Sequence, residues 1–341
     1  MGKVLVTGGT GYIGSHTVVE LMQTGLEPVI VDNLSNSLME VLDGICEITG
    51  KQPLFYEVDL KDVTKLKRIF QENQFESVIH FAAYKAVGES VEKPLLYYEN
   101  NLVSLINLLK LMSEFRVNSL VFSSSCTVYG QPEELPVTEN APVVKAMSPY
   151  GNTKQIAEEI ITDAVQAKMI EQAVLLRYFN PIGAHPSAKI GELPLNVPNN
   201  LVPFITQTAI GLREELKIFG DDYNTPDGSC IRDYINVVDL AKAHIAAVKR
   251  MKESAIPVEV FNVGTGNGVS VFEVVNAFQR VSGQDLNYSI VGRRSGDVEK
   301  VYADTNKANE LLGWKAEKSL DETILSAWEW EKYIRLKDQN Y

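Results

Sequence analysis

The chain has 341 residues, of which 45% are hydrophobic and 22% charged, and 44 acidic against 32 basic side chains give a formal net charge of −12. The length allows one large or two medium domains with a sizeable core, and the apolar content excludes a disordered chain. An acidic chain without a run of Lys and Arg is a poor match for phosphate backbones, so we expect no nucleic-acid polymer as a partner. A small polyanionic substrate remains compatible if a few cations are well placed.

Cysteine and histidine usage indicates a cytoplasmic protein without a metal centre. The three cysteines, Cys46, Cys126 and Cys230, are an odd number without the spacing of metal ligands, which favours a reducing compartment and no disulfide framework. The four histidines are scattered along the chain, so we expect no metal site. The sequence shows no signal-peptide pattern and no run of about 18 apolar residues, so we predict a cytoplasmic location and no membrane partner.

Short apolar runs alternate with longer mixed segments in the first half of the chain. Runs rich in Val, Ile, Leu or Phe predict buried strands over 3–7, 28–31, 77–82, 119–123 and 173–179. Helical segments are predicted between them, over 16–24, 60–73, 95–114 and 153–168. The runs lack polar alternation, which is typical of parallel strands covered on both faces. The series of strands and helices therefore predicts right-handed crossovers and a Rossmann-like, doubly wound α/β sheet.

The character of the sequence changes after Asn180. Five prolines fall between residues 181 and 203, which indicates a loop-rich segment. Strand and helix signals are shorter beyond it, and a final helix is predicted over 320–337. We therefore expect a larger domain over 1–180 and a smaller α/β domain over 181–341, with a shared cleft and some crossover of the chain.

A glycine-rich turn follows the first predicted strand directly and leads into the first helix. Gly8, Gly11 and Gly14 are spaced three residues apart in this turn. Such spacing lets the backbone approach a pyrophosphate closely, and the helix N-terminus offers free N–H groups and partial positive charge. The turn therefore predicts a dinucleotide-binding site.

The acidic residues after the next strands extend this pattern. The second predicted strand ends at Asp32, 18 residues past Gly14, where a carboxylate can bind both ribose hydroxyls and would repel a 2′-phosphate. No Lys or Arg lies within 33–37 to receive that phosphate, so the pattern predicts NAD rather than NADP. Asp59 either contacts the adenine or caps the following helix, and the sequence leaves both interpretations open.

A serine, a tyrosine and a lysine form a candidate catalytic set. Tyr150 and Lys154 stand four residues apart at the start of a predicted helix, with Ser148 as its predicted N-cap. A free tyrosine has a pKa of about 10 and is a poor base near neutral pH. A nearby ammonium and an oxidised nicotinamide, both positive, would favour the phenolate. Ser125 ends the preceding strand, where its hydroxyl can share a proton with a substrate oxygen.

Together these motifs resemble the extended short-chain dehydrogenase/reductase superfamily and, within it, the UDP-glucose 4-epimerases. The resemblance covers essentially the whole chain. Its most specific segments are 7–14, 32–34, 85–90, 123–130, 150–154, 176–181 and 232–234.

The resemblance implies which residues contact the cofactor NAD and a UDP-sugar substrate. For NAD they are Gly8, Gly11, Tyr12, Ile13, Gly14, Asp32, Asn33, Leu34, Ser35, Asn36, Ser37, Asp59, Leu60, Phe81, Ala82, Ala83, Tyr84, Lys85, Asn100, Ser125, Tyr150, Lys154 and Phe179. For the substrate they are Lys85, Ala86, Val87, Ser125, Tyr150, Asn180, Asn200, Leu201, Lys217, Ile218, Phe219, Arg232, Arg294, Ser295, Gly296, Asp297 and Val301. Arg232 and Arg294 are suited to bind the two phosphate charges of a UDP-sugar bidentately.

The reaction that the resemblance implies is the interconversion of UDP-glucose and UDP-galactose in galactose metabolism. Tyr150 would take the proton of the sugar 4-hydroxyl while hydride leaves C4 for NAD, and the 4-keto sugar would rotate before hydride returns. Domain 1–180 would bind NAD, and domain 181–341 the UDP-sugar. Val301 stands where some relatives have a bulky Tyr, so some activity on UDP-N-acetylhexosamines is expected. A homodimer is also expected, through the helices that match 95–114 and 153–168.

Two alternatives remain at this point. Another NAD-dependent nucleotide-sugar enzyme, a 4,6-dehydratase or a decarboxylase, would also begin by oxidising C4. A dehydratase needs an acid beside the catalytic serine, but residues 125–127 are Ser, Cys and Thr. A dinucleotide-sensing module without catalysis often lacks the Tyr or the Lys, and both Tyr150 and Lys154 are present here.

Overall fold

Strands and helices alternate along most of the chain. The computed structural model describes residues 2–294 and 298–338. Up to residue 178 the elements are β1 (Lys3–Thr7), α1 (Tyr12–Gln23), β2 (Glu27–Asp32), α2 (Val41–Thr49), β3 (Leu54–Glu57), α3 (Val63–Glu72), β4 (Phe75–His80), α4 (Val87–Glu92), α5 (Pro94–Tyr98), α6 (Ser104–Glu114), β5 (Ser119–Ser125), α7 (Pro149–Gln166) and β6 (Gln172–Tyr178). Beyond it they are β7 (Asn180–Ile182), α8 (Leu201–Ala209), β8 (Leu216–Phe219), β9 (Ile231–Arg232), β10 (Tyr234–Asn236), α9 (Val237–Glu253), β11 (Val258–Val263), β12 (Val269–Ser270), α10 (Val271–Ser282), β13 (Tyr288–Val291), β14 (Lys300–Val301) and α11 (Leu320–Asp338).

Seven parallel strands form the main sheet in the order β11-β6-β5-β4-β1-β2-β3. The first strand lies in the middle, so the chain winds outward in one direction through β2 and β3 and then in the other through β4, β5 and β6. This topology confirms the doubly wound α/β sheet expected from the alternating runs. It also places the switch point between β1 and β4, where open α/β sheets bind their ligands.

Both faces of the main sheet are covered, which explains why its strands lack polar alternation. One core lies against α1, α2 and α9 and contains Val4, Val6 and Ile30. The other lies against α3, α6 and α7 and contains Leu5, Val29 and Val31. Alternate residues of one strand thus enter opposite cores.

The chain returns to the main sheet after it has first left it. Helix α9 packs against α1, and β11 pairs in parallel with β6 at the edge of the sheet. The sequence predicts some crossover of the chain but does not delimit these two elements. The boundary at residue 180, which separates domains 1–180 and 181–341, remains a prediction. It marks where the chain first leaves the main sheet, but residues 237–263 return to the larger part.

The remaining elements form a smaller unit with its own core. The core residues come from α8, α10 and α11 and from short strands, and include Ile205, Ile218, Phe278 and Trp328. The short strands pair as β12-β9-β14, β13-β8 and β10-β7. In the part of the chain that the structure describes, no helix combines the length and apolar character needed to cross a bilayer.

The predicted helix over 95–114 is confirmed as one continuous helical stretch over 94–114, and it contains a π-helical turn. A π-helical turn at Glu99–Val103 separates α5 from α6. The side-chain amide of Asn101 accepts a hydrogen bond from Tyr84 N (2.8 Å) and donates to Tyr84 O and Thr153 Oγ1 (both 3.1 Å). A wider turn directs Asn101 inward to these partners, because π-bulges shift side chains off the regular helix face. Sequence periodicity does not reveal this tertiary contact.

Candidate active site and cofactor groove

The proposed cofactor residues meet at the carboxyl end of the main sheet. The glycine turn follows β1, Asp32 ends β2, Asp59 lies two residues after β3, and residues 81–85 follow β4. Ser125 ends β5 and Phe179 follows β6. The remaining members flank this edge or pack under it: Tyr12, Ile13, Asn33, Leu34, Ser35, Asn36, Ser37, Leu60 and Asn100. Parallel strands bring their carboxyl ends to one edge, which is why residues so far apart in sequence converge.

The glycine turn leaves no room for side chains, as a site for a pyrophosphate requires. Gly8 has a φ of +72°, and a Cβ there would stand 2.7 Å from Ala82 N. A Cβ on Gly14 would stand 2.2 Å from Gly8 O. Helix α1 begins at Tyr12, and within the described ranges its N-cap residue Gly11 supplies no side-chain cap. The helix N-terminus therefore offers backbone donors to an anion, and the turn fits the phosphates of a dinucleotide.

Asp32 is held in place by the residues that follow it. Its Oδ2 accepts a hydrogen bond from Thr10 N (3.2 Å), and its Oδ1 accepts from Leu34 N (3.0 Å) and Ser37 Oγ (3.4 Å). The carboxylate thus sits directly beside the glycine turn, at the position where a ribose would bind. This geometry fits a cofactor with free ribose hydroxyls, because a carboxylate accepts hydrogen bonds from them and repels a phosphate.

The structure tests one of the two interpretations of Asp59, its role as a helix cap. Asp62, not Asp59, caps α3, since Asp62 Oδ1 accepts from Lys65 N at 3.1 Å. The capping interpretation of Asp59 was therefore wrong. Asp59 Oδ2 instead accepts from Asn33 Nδ2 at 3.3 Å, which places it beside the segment that follows Asp32. A contact with the adenine remains a proposal.

Ser125, Tyr150 and Lys154 come together on the edges of β5 and α7. Ser148 caps α7, accepting from Gly151 N at 3.1 Å, and Pro149 is its first residue, as predicted. This cap fixes Tyr150 in the first turn, where the Ser125 hydroxyl acts on its phenol and lowers the pKa of that group. Lys154, one turn later, donates from Nζ to Ser123 O at 2.6 Å. The strand that carries Ser125 therefore also holds the ammonium.

Burial shifts the pKa values of both catalytic candidates, Tyr150 and Lys154. It raises the pKa of Tyr150 above its ordinary value, the neighbouring Tyr178 raises it further, and the hydrogen bond from Ser125 opposes both effects. Burial lowers the pKa of Lys154 to about 8, against the attraction of Glu158. A phenol in such surroundings needs cationic neighbours to act as a base near neutral pH. The lysine beside it and an oxidised nicotinamide would supply them.

The Glu192 carboxylate holds two of the proposed substrate residues, and no motif in the sequence predicts this role. Glu192 Oε1 accepts from Lys85 Nζ at 3.2 Å and from Asn200 Nδ2 at 2.6 Å. Lys85 follows β4, whereas Asn200 is the N-cap residue of α8 in the smaller unit. Glu192 therefore bridges the two parts of the chain at the cleft. No pattern in the sequence marked it, because its partners are distant in sequence.

Arg232 and Val301 are neighbours on paired strands. They face each other across β9 and β14, and Val301 is buried with Phe179 and Tyr129. The adjacent Asp233 accepts hydrogen bonds from the backbone N–H groups of Thr265, Gly266 and Ala303. Asp233 thus fixes the strand ends around Arg232.

The other proposed substrate residues lie on several different elements of the fold. Ala86 and Val87 begin α4, Asn180 begins β7, Leu201 begins α8, and Lys217–Phe219 lie on β8. The Ile218 side chain is buried in the core of the smaller unit, so only its backbone can face a ligand. Arg294 is exposed, whereas its neighbour Arg293 pairs with Asp222. The proposed residues Ser295, Gly296 and Asp297 lie outside the described residues.

The fold and the site together define a class. A doubly wound sheet with a glycine turn, an acidic residue after β2, and a Ser, Tyr and Lys set beside β5 is the arrangement of a dinucleotide-dependent short-chain dehydrogenase/reductase. The second unit, with cations at the cleft, fits a phosphorylated substrate.

Comparison with known proteins narrows this class. The family model described as GDP-mannose 4,6 dehydratase matches residues 5–326. UDP-glucose 4-epimerase 2 of Arabidopsis thaliana is 51% identical over 331 residues, covering 96% of this chain and 94% of the relative. UDP-glucose 4-epimerase of Bacillus subtilis is 50% identical, covering 96% of each. The crystal structure of the Bifidobacterium longum epimerase in complex with NAD+ and UDP superposes with a TM-score of 0.94 at 46% identity, covering 97% of this chain and 98% of that one. The chain belongs to the family of UDP-glucose 4-epimerases.

Gly14→Ala tests the role of the glycine turn. We expect the purified variant to retain at least tenfold less dinucleotide than wild type, because the new Cβ would stand 2.2 Å from Gly8 O and must displace the turn. The measurement is the amount of NAD released per chain after denaturation. Gly292→Ala is the matched control, because a Cβ at Gly292 meets open space. Equal NAD content in Gly14→Ala and Gly292→Ala would contradict the assignment.

Proposed function

We propose that this protein interconverts UDP-glucose and UDP-galactose, a reaction of galactose metabolism, with NAD as its cofactor. The observation that carries the proposal is the convergence of Ser125, at the end of β5, with Tyr150 and Lys154, in the first turns of α7, at the carboxyl edge of the parallel sheet. The glycine turn and Asp32 would hold NAD, which would supply the hydride exchange at C4 of the sugar. Sequence identity of about half to UDP-glucose 4-epimerases over nearly the whole chain supports the same substrate pair.

The chain's own residues would handle the proton. The Tyr150 phenolate would take the proton of the sugar 4-hydroxyl and return it after the face of the sugar has changed. The Ser125 hydroxyl, which lowers the pKa of that phenol, would share the proton with the 4-oxygen. Lys154 would stabilise the phenolate and bind the nicotinamide ribose. These are general acid–base roles, for which the pairing and the burial of the groups are suited.

To keep the 4-keto sugar bound through turnover, the site must hold UDP firmly and the hexose loosely. We propose that Arg232, Arg294 and Lys85 neutralise the diphosphate, while Asn200 and the exposed face of β8 bind the rest of the nucleotide. Binding energy from this remote part would hold the 4-keto sugar in the site while its hexose ring rotates. The sugar pocket itself would contribute fewer contacts, because each strong contact would oppose rotation.

The charges beside Ser125 do not favour a 4,6-dehydratase or a decarboxylase. Cys126 follows the serine, and burial raises the pKa of its thiol to about 12, so it stays protonated. The carboxylate whose charge acts on this thiol is Asp233. Its oxygens are occupied by backbone donors of Thr265, Gly266 and Ala303. A carboxylate fixed in this way is poorly placed to eliminate a 6-hydroxyl.

An exposed apolar face supports a homodimer. Leu95 is 80% exposed at the start of α5, and Val103 and Ile106 are exposed one turn apart on the next helical segments. Large apolar side chains in one stripe on a helix pair are typical of a subunit interface. We propose that two copies pair these helices and α7 into a four-helix bundle.

We also propose a cytoplasmic location, in keeping with the thiols Cys46 and Cys126.

The small side chain at position 301 supports activity on UDP-N-acetylhexosamines. Val301 contacts the cluster of Val128, Tyr129 and Phe179 behind the catalytic residues and pairs in register with Arg232. A valine side chain is smaller than a tyrosine side chain by several carbon atoms, and we propose that it leaves space next to the bound sugar. We propose that this space receives the N-acetyl group on C2.

Tyr150→Phe tests the catalytic assignment. Incubation of wild type with UDP-galactose and no added cofactor should yield UDP-glucose, and the variant should be slower by about 10²-fold or more, because the base is lost. Its NAD content should equal that of wild type. Tyr56→Phe, which removes a phenol that bonds Glu72 and Asn73 at the end of α3, should be fully active. Unchanged interconversion by Tyr150→Phe would refute the proposal.

Val301→Tyr tests the N-acetyl pocket. We expect the ratio of kcat/KM for UDP-N-acetylglucosamine to that for UDP-galactose to fall at least tenfold, because a phenol ring fills the space beside C2. Val301→Ala, which only enlarges the space, should keep this ratio or raise it. Comparable turnover of the N-acetylated substrate by Val301→Tyr would remove the basis of the proposal.

The double variant Val103→Asp, Ile106→Asp tests the dimer. Sedimentation velocity should give a dimer for wild type and a monomer for the variant, because four buried carboxylates would be introduced into one interface. Leu212→Asp places the same charge on another exposed apolar position and should stay dimeric. A wild-type protein that sediments only as a monomer would contradict the proposal.

A further inference from the structure

A buried ion pair lies one turn below the catalytic residues of α7. Glu158 accepts hydrogen bonds from the Nε (3.0 Å) and Nη2 atoms of Arg177 and from the Ser124 hydroxyl. The side chains of Glu158 and Arg177 are only 9% and 7% exposed. The carboxylate therefore has three charge-assisted or hydroxyl donors and a fixed position inside the protein.

The surroundings of Arg177 fix the other half of this pair. Its guanidinium lies 4.8 Å from the centre of the Tyr129 ring. The Tyr129 hydroxyl donates to Asn262 Oδ1 at 2.7 Å, and Asn262 Nδ2 donates to Val137 O at 2.8 Å. The pair is thus enclosed by β6, β11, α7 and the turn after β5. We define Ser124, Glu158 and Arg177 as the Glu158 cluster.

The Glu158 cluster joins the two elements that carry the catalytic residues. Ser124 directly precedes Ser125 on β5, and Arg177 faces Ser124 in the register between β5 and β6. Glu158 follows Lys154 by four residues on α7, so the two side chains share one helix face. The three hydrogen bonds of Glu158 therefore fix the distance between Ser125 on the strand and Tyr150 and Lys154 on the helix.

A gain in stability alone does not explain why this ion pair is buried. Burying two charges costs several kcal/mol of solvation, and replacement by apolar residues of similar volume is often neutral or stabilising. The position of the cluster beside Lys154 suggests an electrostatic role instead. Lys154 is itself only 5% exposed, and a cation in that position needs a nearby anion to remain charged.

Glu158 is the carboxylate that acts on Lys154 among the described residues. Burial lowers the pKa of Lys154 to about 8, and the charge of Glu158 opposes this shift. The other titratable or charged groups that face Lys154, Tyr150 or the Glu158 cluster are His80 from β4, Tyr97 from α5, Cys126 and Tyr129 from the turn after β5, Glu139 from the loop before α7, and Arg177 and Tyr178 from β6. Burial and the Lys154 charge lower the pKa of His80 to about 3, so His80 adds no charge near neutral pH.

We propose that Glu158, held by Ser124 and Arg177, is a positioning residue that keeps the Lys154 ammonium charged and aligned beneath Tyr150. This inference rests on the proposed function of Tyr150 and Lys154. Glu158 touches neither substrate nor cofactor and acts through Lys154. Without its charge, Lys154 would lose its proton at lower pH, and the phenolate would lose its cationic neighbour.

The test is the pH profile of kcat in Glu158→Gln. The amide keeps the size of the side chain and can still bond Ser124, but it removes the charge. The alkaline limb of the wild-type profile should reflect deprotonation of Lys154, and we expect it to move to lower pH by about one unit in the variant. The loss of activity should therefore grow with pH, to about tenfold above that limb. Glu159→Gln, an exposed carboxylate one residue further along α7, is the matched control and should leave the profile unchanged.

Two further variants separate an electrostatic role from a structural one. Glu158→Asp restores the charge and should recover the wild-type alkaline limb, even if kcat is lower. Ser124→Ala keeps the ion pair and removes one of the two donors to Glu158 Oε1, since Arg177 Nε still donates to that oxygen. It should shift the limb less than Glu158→Gln does. If Glu158→Gln does not fold, as judged by its melting temperature and NAD content, the inference is decided by these two variants.

Two results would overturn the inference. One is a uniform fall in kcat at every pH with an unmoved alkaline limb, which would indicate a structural role. The other is a Glu158→Asp variant whose limb moves as far as that of Glu158→Gln. Failure of the proposed function is distinguishable, because in that case wild type itself would not convert UDP-galactose and Tyr150→Phe would change nothing.

Discussion

The parallel direction of the seven strands is the constraint on which the site depends. Parallel strands need crossovers, the crossovers place helices on both faces, and the carboxyl ends of all strands then meet at one edge. The glycine turn after β1, Asp32 after β2 and Ser125 at the end of β5 meet there for this reason alone. An antiparallel sheet of the same strands would distribute these residues over opposite edges.

The catalytic residues depend further on contacts between strand and helix. The cap at Ser148 sets where α7 begins, and thus where Tyr150 and Lys154 point. The hydrogen bond from Lys154 to Ser123 and the Glu158 cluster tie the same helix to β5 and β6. Burial makes these polar contacts strong and also makes any missing partner costly. The site is therefore positioned by buried polar groups, whereas the large cores provide the rigid support around it.

The smaller unit is joined to the sheet in more than one place. Helix α9 and strand β11 return to the sheet, and Glu192 links Lys85 to Asn200 across the cleft. Asp233 fixes three backbone segments next to Arg232.

The sequence by itself determined the sheet, the glycine turn, the cap of α7 and the set of Ser125, Tyr150 and Lys154. Each depends on residues that are close in sequence, such as the spacing of three in the turn or of four on a helix, so local geometry suffices. Only the tertiary structure decided the remaining features. These are the π-helical turn between α5 and α6, the return of β11, the capping role of Asp62 instead of Asp59, and the partners of Glu158 and Glu192. Asn101 and Tyr84, Glu158 and Arg177, and Glu192 and Lys85 are pairs separated by 17 or more residues. Which of them meet depends on how the whole chain packs, and a hydrogen bond of that kind leaves no periodic pattern in the sequence.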